Sequence, residues 1–346
     1  MIGIPQHLLQ GKEPFFACSR LVLKGQMASL KALGVEIFYS VKTNPEKCIL
    51  EELGKLGTNF SVSNPSEFLS IVSMGAAPDK ILYYERGLTP EKVRWLAQSG
   101  CRNFVVESAQ AFENLAPEIK PGFTVLIRMR ASEPKSRYAG SCNPGLEANE
   151  ALELAMKAKK RGASSGILHH NSSQMEEVSD WKSKFDILSK LPELDIIDIG
   201  GGLPISYDGE NFDAILEVIY DGVKKLKAKR VIAEPGRFIV GPACSLVARV
   251  ELVDNGNAVL NCSVYNVHID TIIADLVLPC RVLGKQGSVM EYKLLGSSLC
   301  NLDVFDKKAK LPKLSVGDAI VFDKAGAYNF SSDFGSGSGI KTYIVD

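Results

Sequence analysis

A lysine, a carboxylate, a histidine and three consecutive glycines stand at the ends of strand-like runs in this chain, and each type can do chemistry in such a place. Lys42 follows the β-branched and aromatic run Val35-Glu36-Ile37-Phe38-Tyr39. It precedes Asn44-Pro45, after which a helical spacing opens at Glu46 with Ile49, Leu50, Leu53 and Leu56. At the C-terminal lip of a parallel strand, an amine desolvated by apolar neighbours loses its proton more easily and can attack a carbonyl. Asp198-Ile199-Gly200-Gly201-Gly202-Leu203-Pro204 ends another such run, and bare glycine N–H groups there can approach a phosphate. One strand on, Glu234-Pro235-Gly236-Arg237 sets a carboxylate, a glycine and a guanidinium together, where barrels recurrently bind phosphate. His169-His170-Asn171-Ser172-Ser173-Gln174 offers an imidazole that can stack on a planar ring and a hydroxyl for an anion. Singly, each has a plainer use: a surface lysine among 40 Lys+Arg, a tight turn, a structural histidine. Their recurrence at successive strand ends singles them out.

The elements that must position these residues alternate. Strand-like runs near 36, 60, 81, 104, 125, 167, 196 and 231 are separated by helical spacings, several opened by helix-start residues such as Pro65-Ser66-Glu67 and Thr89-Pro90-Glu91. Eight such units predict an α/β fold, a TIM-like (β/α)8 barrel over residues 22–240. After about residue 240 the texture changes to β-rich segments (245–253, 258–265, 291–295, 319–323) joined by turns such as Asp254-Asn255-Gly256-Asn257, with no helical pattern. This predicts a β-domain over 241–346, joined by residues 1–21, whose strand near 14–19 has no barrel partner.

Forty basic and forty acidic residues give a formal net charge of +0, which argues against a nucleic-acid or anionic-membrane partner. No run of apolar residues is long enough to span a membrane, and the polar N-terminus does not read as an export signal. Eight cysteines without a Cys-x-x-Cys pair fit a reducing, cytoplasmic setting, with neither a disulfide framework nor a zinc site. Four histidines leave little for a metal centre, so none is expected.

Taken together, the motifs resemble the fold-type III pyridoxal-phosphate decarboxylases, the group of ornithine, diaminopimelate and carboxynorspermidine decarboxylases (an alanine racemase-like barrel with a β-domain). The resemblance covers nearly the whole chain. The family's Tyr-Ala-Val-Lys-Ala-Asn is similar to Tyr39-Ser40-Val41-Lys42-Thr43-Asn44, which implies that Lys42 carries pyridoxal 5'-phosphate (PLP). His-x-Gly-Ser-Gln resembles His170 to Gln174, implying His170 on the pyridine face and Ser173 near the phosphate. Asp-Ile-Gly-Gly-Gly-Phe-Pro resembles Asp198 to Pro204, implying that Gly200, Gly201 and Gly202 cradle the phosphate. Glu-Pro-Gly-Arg matches Glu234 to Arg237, which implies Glu234 on the pyridine nitrogen and Gly236 and Arg237 beside it. Gly-Ala-Tyr matches Gly326-Ala327-Tyr328, with Tyr328 reaching the phosphate, and Arg128 stands like the family's strand-end arginine. A carboxylate opposite a ring nitrogen keeps it protonated, as an electron sink requires. Alanine racemases, by the same resemblance, place an arginine there, so Glu234 argues for decarboxylation.

The family's Gly-Pro-x-Cys-Asp-x-x-Asp, which acts across a subunit interface, is replaced by Gly296-Ser297-Ser298-Leu299-Cys300-Asn301-Leu302-Asp303. Either Leu299 takes the cysteine position and Cys300 the acid's, or Cys300 stays the proton donor and Asn301 replaces the acid. Ser61 stands where the family often has an acid, Ser172 replaces a glycine, and Asp275 is a possible match to a substrate-binding aspartate. The reading is thus a cytoplasmic homodimeric lyase with PLP and active sites at the subunit interface, with Lys42, Cys300 and His170 catalytic. It acts on an amino acid or amino-acid-bearing intermediate other than simple ornithine, in polyamine, siderophore or peptide-antibiotic biosynthesis. The alternatives are a PLP-dependent racemase or epimerase, or a non-catalytic homologue resembling the antizyme inhibitors.

Overall fold

The computed structural model describes residues 2–131, Tyr138, 144–329 and 339–346. After β1 (Phe15–Ser19) and α1 (Arg20–Lys31), eight parallel strands close into a barrel. They are β2 (Glu36–Ser40), β3 (Asn59–Val62), β4 (Ile81–Tyr84), β5 (Asn103–Val106), β6 (Thr124–Arg128), β7 (Ser164–Leu168), β8 (Leu194–Asp198) and β9 (Ala228–Ala233). The intervening helices are α2 (Lys47–Lys55), α3 (Pro65–Ser73), α4 (Pro90–Gln98), α5 (Ala109–Leu115), α6 (Ala148–Lys160), α7 (Val178–Leu188) and α8 (Asp213–Lys225). The barrel read from the sequence is present, with β9 pairing back to β2 through Glu36↔Ile232 and Ile37↔Ala233.

Period-two patterning builds the two cores. Phe38, Leu82, Val105, Leu126, Leu168, Ile196 and Ile232 fill the barrel interior. Their neighbours Tyr39, Tyr83, Phe104, Val125, Ile127, Ile167 and Ile197 face outward against the helices. Several helices start where a short polar side chain takes an orphan N–H: Asn64 accepts from Glu67 N (2.9 Å) and Ser108 from Ala111 N (3.1 Å). Gly166 lets β7 and β8 approach, because a Cβ there would overlap the Ile196 carbonyl oxygen. Gly166→Ala should therefore destabilise the barrel by about 3 kcal/mol or more, measured as a lowered urea midpoint; unchanged stability would refute this contact.

The second sheet runs β12-β15-β10-β11-β13-β14, from β10 (Cys244–Asp254), β11 (Asn257–Leu260), β12 (Cys280–Val282), β13 (Val289–Leu295), β14 (Val304–Pro312) and β15 (Ala319–Phe322). β1 pairs antiparallel with β10 and parallel with β16 (Lys341–Val345), so the first strand does join the C-terminal sheet. Two short helices, α10 (Val264–Val267) and α11 (Asp270–Ile273), follow an equally short α9 (Arg237–Val240). The first replaces the end of an expected strand, because the Ser263 side chain accepts from Tyr265 N and caps a turn.

The expectation of no disulfide is overturned. The β1–β10 register sets Cys18 opposite Cys244 with Cα atoms 4.0 Å apart, and the two sulfurs are bonded. The pairing spans 226 residues of sequence, so only the sheet reveals it. Cys48, Cys101, Cys262, Cys280 and Cys300 are free, and Cys142 lies outside the described residues. Among the described residues no helix is long and apolar enough to cross a membrane, and no His/Cys/Asp/Glu group could hold a metal ion.

Candidate active site

The C-terminal ends of the barrel strands surround one cavity, lined by ten of the twelve candidate residues: Lys42, Arg128, His170, Ser173, Gly201, Gly202, Glu234, Gly236, Arg237 and Tyr328. Lys42 does not sit on the strand lip itself. β2 ends at Ser40, and Val41–Thr43 form a single 3-10 turn that carries it. Nor is it desolvated by apolar neighbours: Lys42 is exposed in the single chain. The turn is tied down from both sides. Ser40 N donates to Pro235 O (3.2 Å), and Tyr328 N donates to Thr43 O (2.8 Å). Asn44 Nδ2 donates to Gly326 O (2.8 Å), so the second sheet delivers Tyr328 to the barrel mouth. Tyr328 has φ 54°, a left-handed conformation that costs a non-glycine residue about 1–3 kcal/mol and that the surrounding contacts enforce.

Glu234 stands just past β9. Its carboxylate accepts a hydrogen bond from Ser61 Oγ and feels the Lys42 ammonium. Burial raises its pKa, while the Ser61 hydrogen bond and Lys42 oppose the rise. On the neighbouring strand Asp198 is fully buried, with Oδ1 accepting from Gly200 N (2.7 Å). Burial first and Glu234 second push its pKa well above the carboxylate range.

His170 Nδ1 accepts from Gly201 N (3.2 Å), which puts any ring proton of the neutral form on Nε2. Burial, reinforced by Arg128, Lys184 and Lys42, drives its pKa well below the usual histidine value, so the ring is neutral at pH 7. The glycines differ from the expected cradle of three free N–H groups. Gly200 N is taken by Asp198 and Gly201 N by His170. Gly200 lies beneath the histidine, where a Cβ would come 2.7 Å from His170 Cβ, and a Cβ on Gly201 would come 2.6 Å from Glu234 O. These two are glycine for close approach. Gly202 and Gly236 N–H make no hydrogen bond to the described residues, and both line the cavity.

Arg237 closes the same end. Its buried guanidinium meets Asp270 Oδ2 (2.7 Å), Tyr207 OH (2.9 Å) and Tyr138 OH (2.8 Å), and Nε reaches Ser173 Oγ (3.3 Å). Its charge is matched by Asp270, so it fixes Ser173 and the loop rather than standing as a free cation. Arg128 Nη1 donates to Tyr84 OH (2.6 Å), whose hydroxyl bonds Glu107. Sequence reasoning missed Tyr84, and it recorded Ser61 only as a lost acid. Period-two counting along β3 and β4 places both inward and could have found them.

Cys300 is not brought to Lys42. It lines a second cavity on the β-rich sheet with Asn266, Ser298 and Leu299, and its sulfur lies 3.1 Å from Tyr265 OH. Asp303 is buried and bound to Val264 N (2.9 Å) and Ser298 N (2.9 Å), so it shapes the loop. Asp275 is exposed, lies 3.5 Å from Lys307 and does not line the barrel cavity.

Residues 21–241 match the family described as pyridoxal-dependent decarboxylase, pyridoxal binding domain. An ornithine decarboxylase of Schizosaccharomyces pombe is 28% identical over 328 residues, covering 86% of this chain and 74% of that protein. An antizyme inhibitor 2 of Xenopus laevis is 25% identical over 345 residues, covering 90% and 75%. The solved arginine decarboxylase of Paramecium bursaria Chlorella virus, bound to agmatine, superposes with a TM-score of 0.87 at 20% identity, covering 99% of this chain and 100% of that one. The chain therefore belongs to the pyridoxal-dependent decarboxylase family, enzymes that work with PLP, and its barrel is the family's pyridoxal-binding domain.

Proposed function

We propose that the protein removes the Cα carboxylate of an amino acid or amino-acid-bearing intermediate, with PLP held at Lys42. The observation that carries this is the convergence on one cavity of an amine, a partnered carboxylate, a neutral imidazole and an anion-binding end. The residues present fit the cofactor: the Gly202 and Gly236 N–H groups make no hydrogen bond to the described residues, and both glycines line the cavity together with Ser173 and Tyr328. These four would hold the phosphate, with Arg237 fixing Ser173. Lys42 Nζ would take the cofactor's carbonyl carbon, His170 would support the ring, and Glu234 would keep a proton at the ring nitrogen. When bound, PLP supplies an electron sink for the pair left by the departing carboxylate.

Cys300 serves as proton donor to Cα in this reading. Because it lies in a different cavity from Lys42, it would serve the site of a second copy, and the active form is a homodimer. Leu299 and Leu302, flanking it, are 103% and 63% exposed, apolar surface that a partner would cover. The one acid of the 296–303 loop, Asp303, is occupied by backbone N–H groups, so the loop offers no carboxylate to a distal ammonium. The substrate therefore has a neutral or larger tail, as in biosynthetic intermediates made in the cytoplasm. A CO₂-release panel tests this. Neutral-tailed or conjugated amino acids should turn over at least about tenfold better than ornithine, lysine or diaminopimelate, the loss of one charge-assisted contact. Efficient ornithine turnover would reject the substrate class. Loss of optical activity without CO₂ would favour a racemase, and neither, with PLP bound, a non-catalytic homologue.

A further inference from the structure

Behind Glu234 lies a second buried acid that the proposed function does not use. Asp198, 0% exposed, ends β8 beside Ile232 of β9, two residues before Glu234. Its Oδ1 is bound by Gly200 N, while Oδ2 is buried without a hydrogen-bond partner among the described residues. The two carboxyls are close enough for each to shift the other's ionisation. Glu234 N donates to Gly200 O (2.8 Å), so the glycine turn that binds Asp198 also fixes the Glu234 backbone.

Burial opposes charge on both carboxyls, and more strongly on Asp198 than on Glu234. From α7, the fully buried Lys184 reaches through the wall to Ile199 O (2.5 Å); burial lowers its pKa to about 7, so its attraction for Asp198 ranks below burial and the repulsion of Glu234. Arg128 from β6 and Lys42 after β2 attract Glu234, and Ser61 from β3 donates to it. His169 and His170, after β7, are both neutral at pH 7, since burial lowers their pKa values, and add no charge. Two ionised carboxylates in contact and out of water repel strongly, and such pairs retain a proton.

We propose that Asp198 is a positioning residue for Glu234: the two carboxyls share one proton, so that a single oriented negative charge faces the cavity. Asp198 carries that proton and turns Oδ2–H toward Glu234, whose other acceptor site is taken by Ser61. The role at the ring nitrogen rests on the PLP reading; the shared proton does not.

The shared proton has a pH signature with a definite sign. Unfolded Asp and Glu release their protons near pH 4. A folded pair that keeps one binds more protons than the unfolded chain above that pH. Its contribution to stability is full below the unfolded pKa and is lost as pH rises, by about tenfold in the folding constant per pH unit. Asp198→Asn keeps a neutral donor and removes the titration. Wild-type apoprotein should therefore lose stability relative to Asp198→Asn between about pH 4 and 7, read by urea unfolding.

Two further readouts complete the test. The infrared spectrum of wild-type apoprotein at pH 7 should contain the C=O band of a protonated carboxyl that Asp198→Asn lacks. This needs neither PLP nor a foldable variant for its first half: no such band in the wild type overturns the shared proton. PLP affinity, followed by fluorescence quenching, should be kept within about threefold in Asp198→Asn and fall about tenfold or more in Asp198→Ala, which leaves Glu234 without its donor. Equal affinities for the two variants overturn the positioning role. Failure of the wild type to bind PLP while the infrared band is present overturns the cofactor reading and leaves the dyad standing.

Discussion

Lys42→Ala should leave the fold intact and lower decarboxylation by about 10⁴-fold, the scale of losing a covalent nucleophile that also moves protons. The side chain is exposed, stands on a short turn and takes part in none of the described hydrogen bonds that hold the barrel, so stability has little reason to change. Far-ultraviolet circular dichroism and the urea midpoint should match the wild type while CO₂ release disappears. An external primary amine, filling the vacated space, should recover part of the rate. A Lys42→Ala protein with more than a tenth of wild-type activity would place the chemistry elsewhere.

Glu234→Gln comes second in size. The amide keeps the shape and the contact with Ser61 but not the charge that Lys42 and Arg128 complement. A ring nitrogen facing it loses the partner of its proton, and the rate should fall by about 10²–10³-fold, the scale of removing one preorganised electrostatic contact. The loss should belong to kcat more than to KM, since the missing charge would act on the electron sink rather than on substrate binding. A variant in which KM rises and kcat stays would assign Glu234 to substrate binding.

The barrel could be read because its grammar is local. Each strand is a short β-branched or aromatic run, and several helices open with a capping residue, as at Asn64 and Ser108. The β-rich sheet was harder to read. β14 carries Asp306, Lys307, Lys308 and Lys310, whose charges mask the alternation. The disulfide depends on a register between strands 226 residues apart, which no local pattern encodes. At the mouth, strand-end motifs pointed to the residues that line the cavity but not to their hydrogen bonds. Gly200 and Gly201 were read as a phosphate cradle because glycine there can be chosen for a ligand or for packing. Only the contacts with Asp198 and His170 show which. The position of Cys300 in a separate cavity is likewise tertiary.

The central functional claim is that Lys42 is the attachment point of PLP. Borohydride reduction of the protein incubated with PLP, followed by peptide mass spectrometry, tests it directly. A phosphopyridoxyl group should be found on the peptide containing Lys42, at one per chain, and should be absent from Lys42→Ala. Stable label on another lysine, Lys184 included, or no label at saturating PLP, would show that the cavity at the barrel mouth is not the cofactor site.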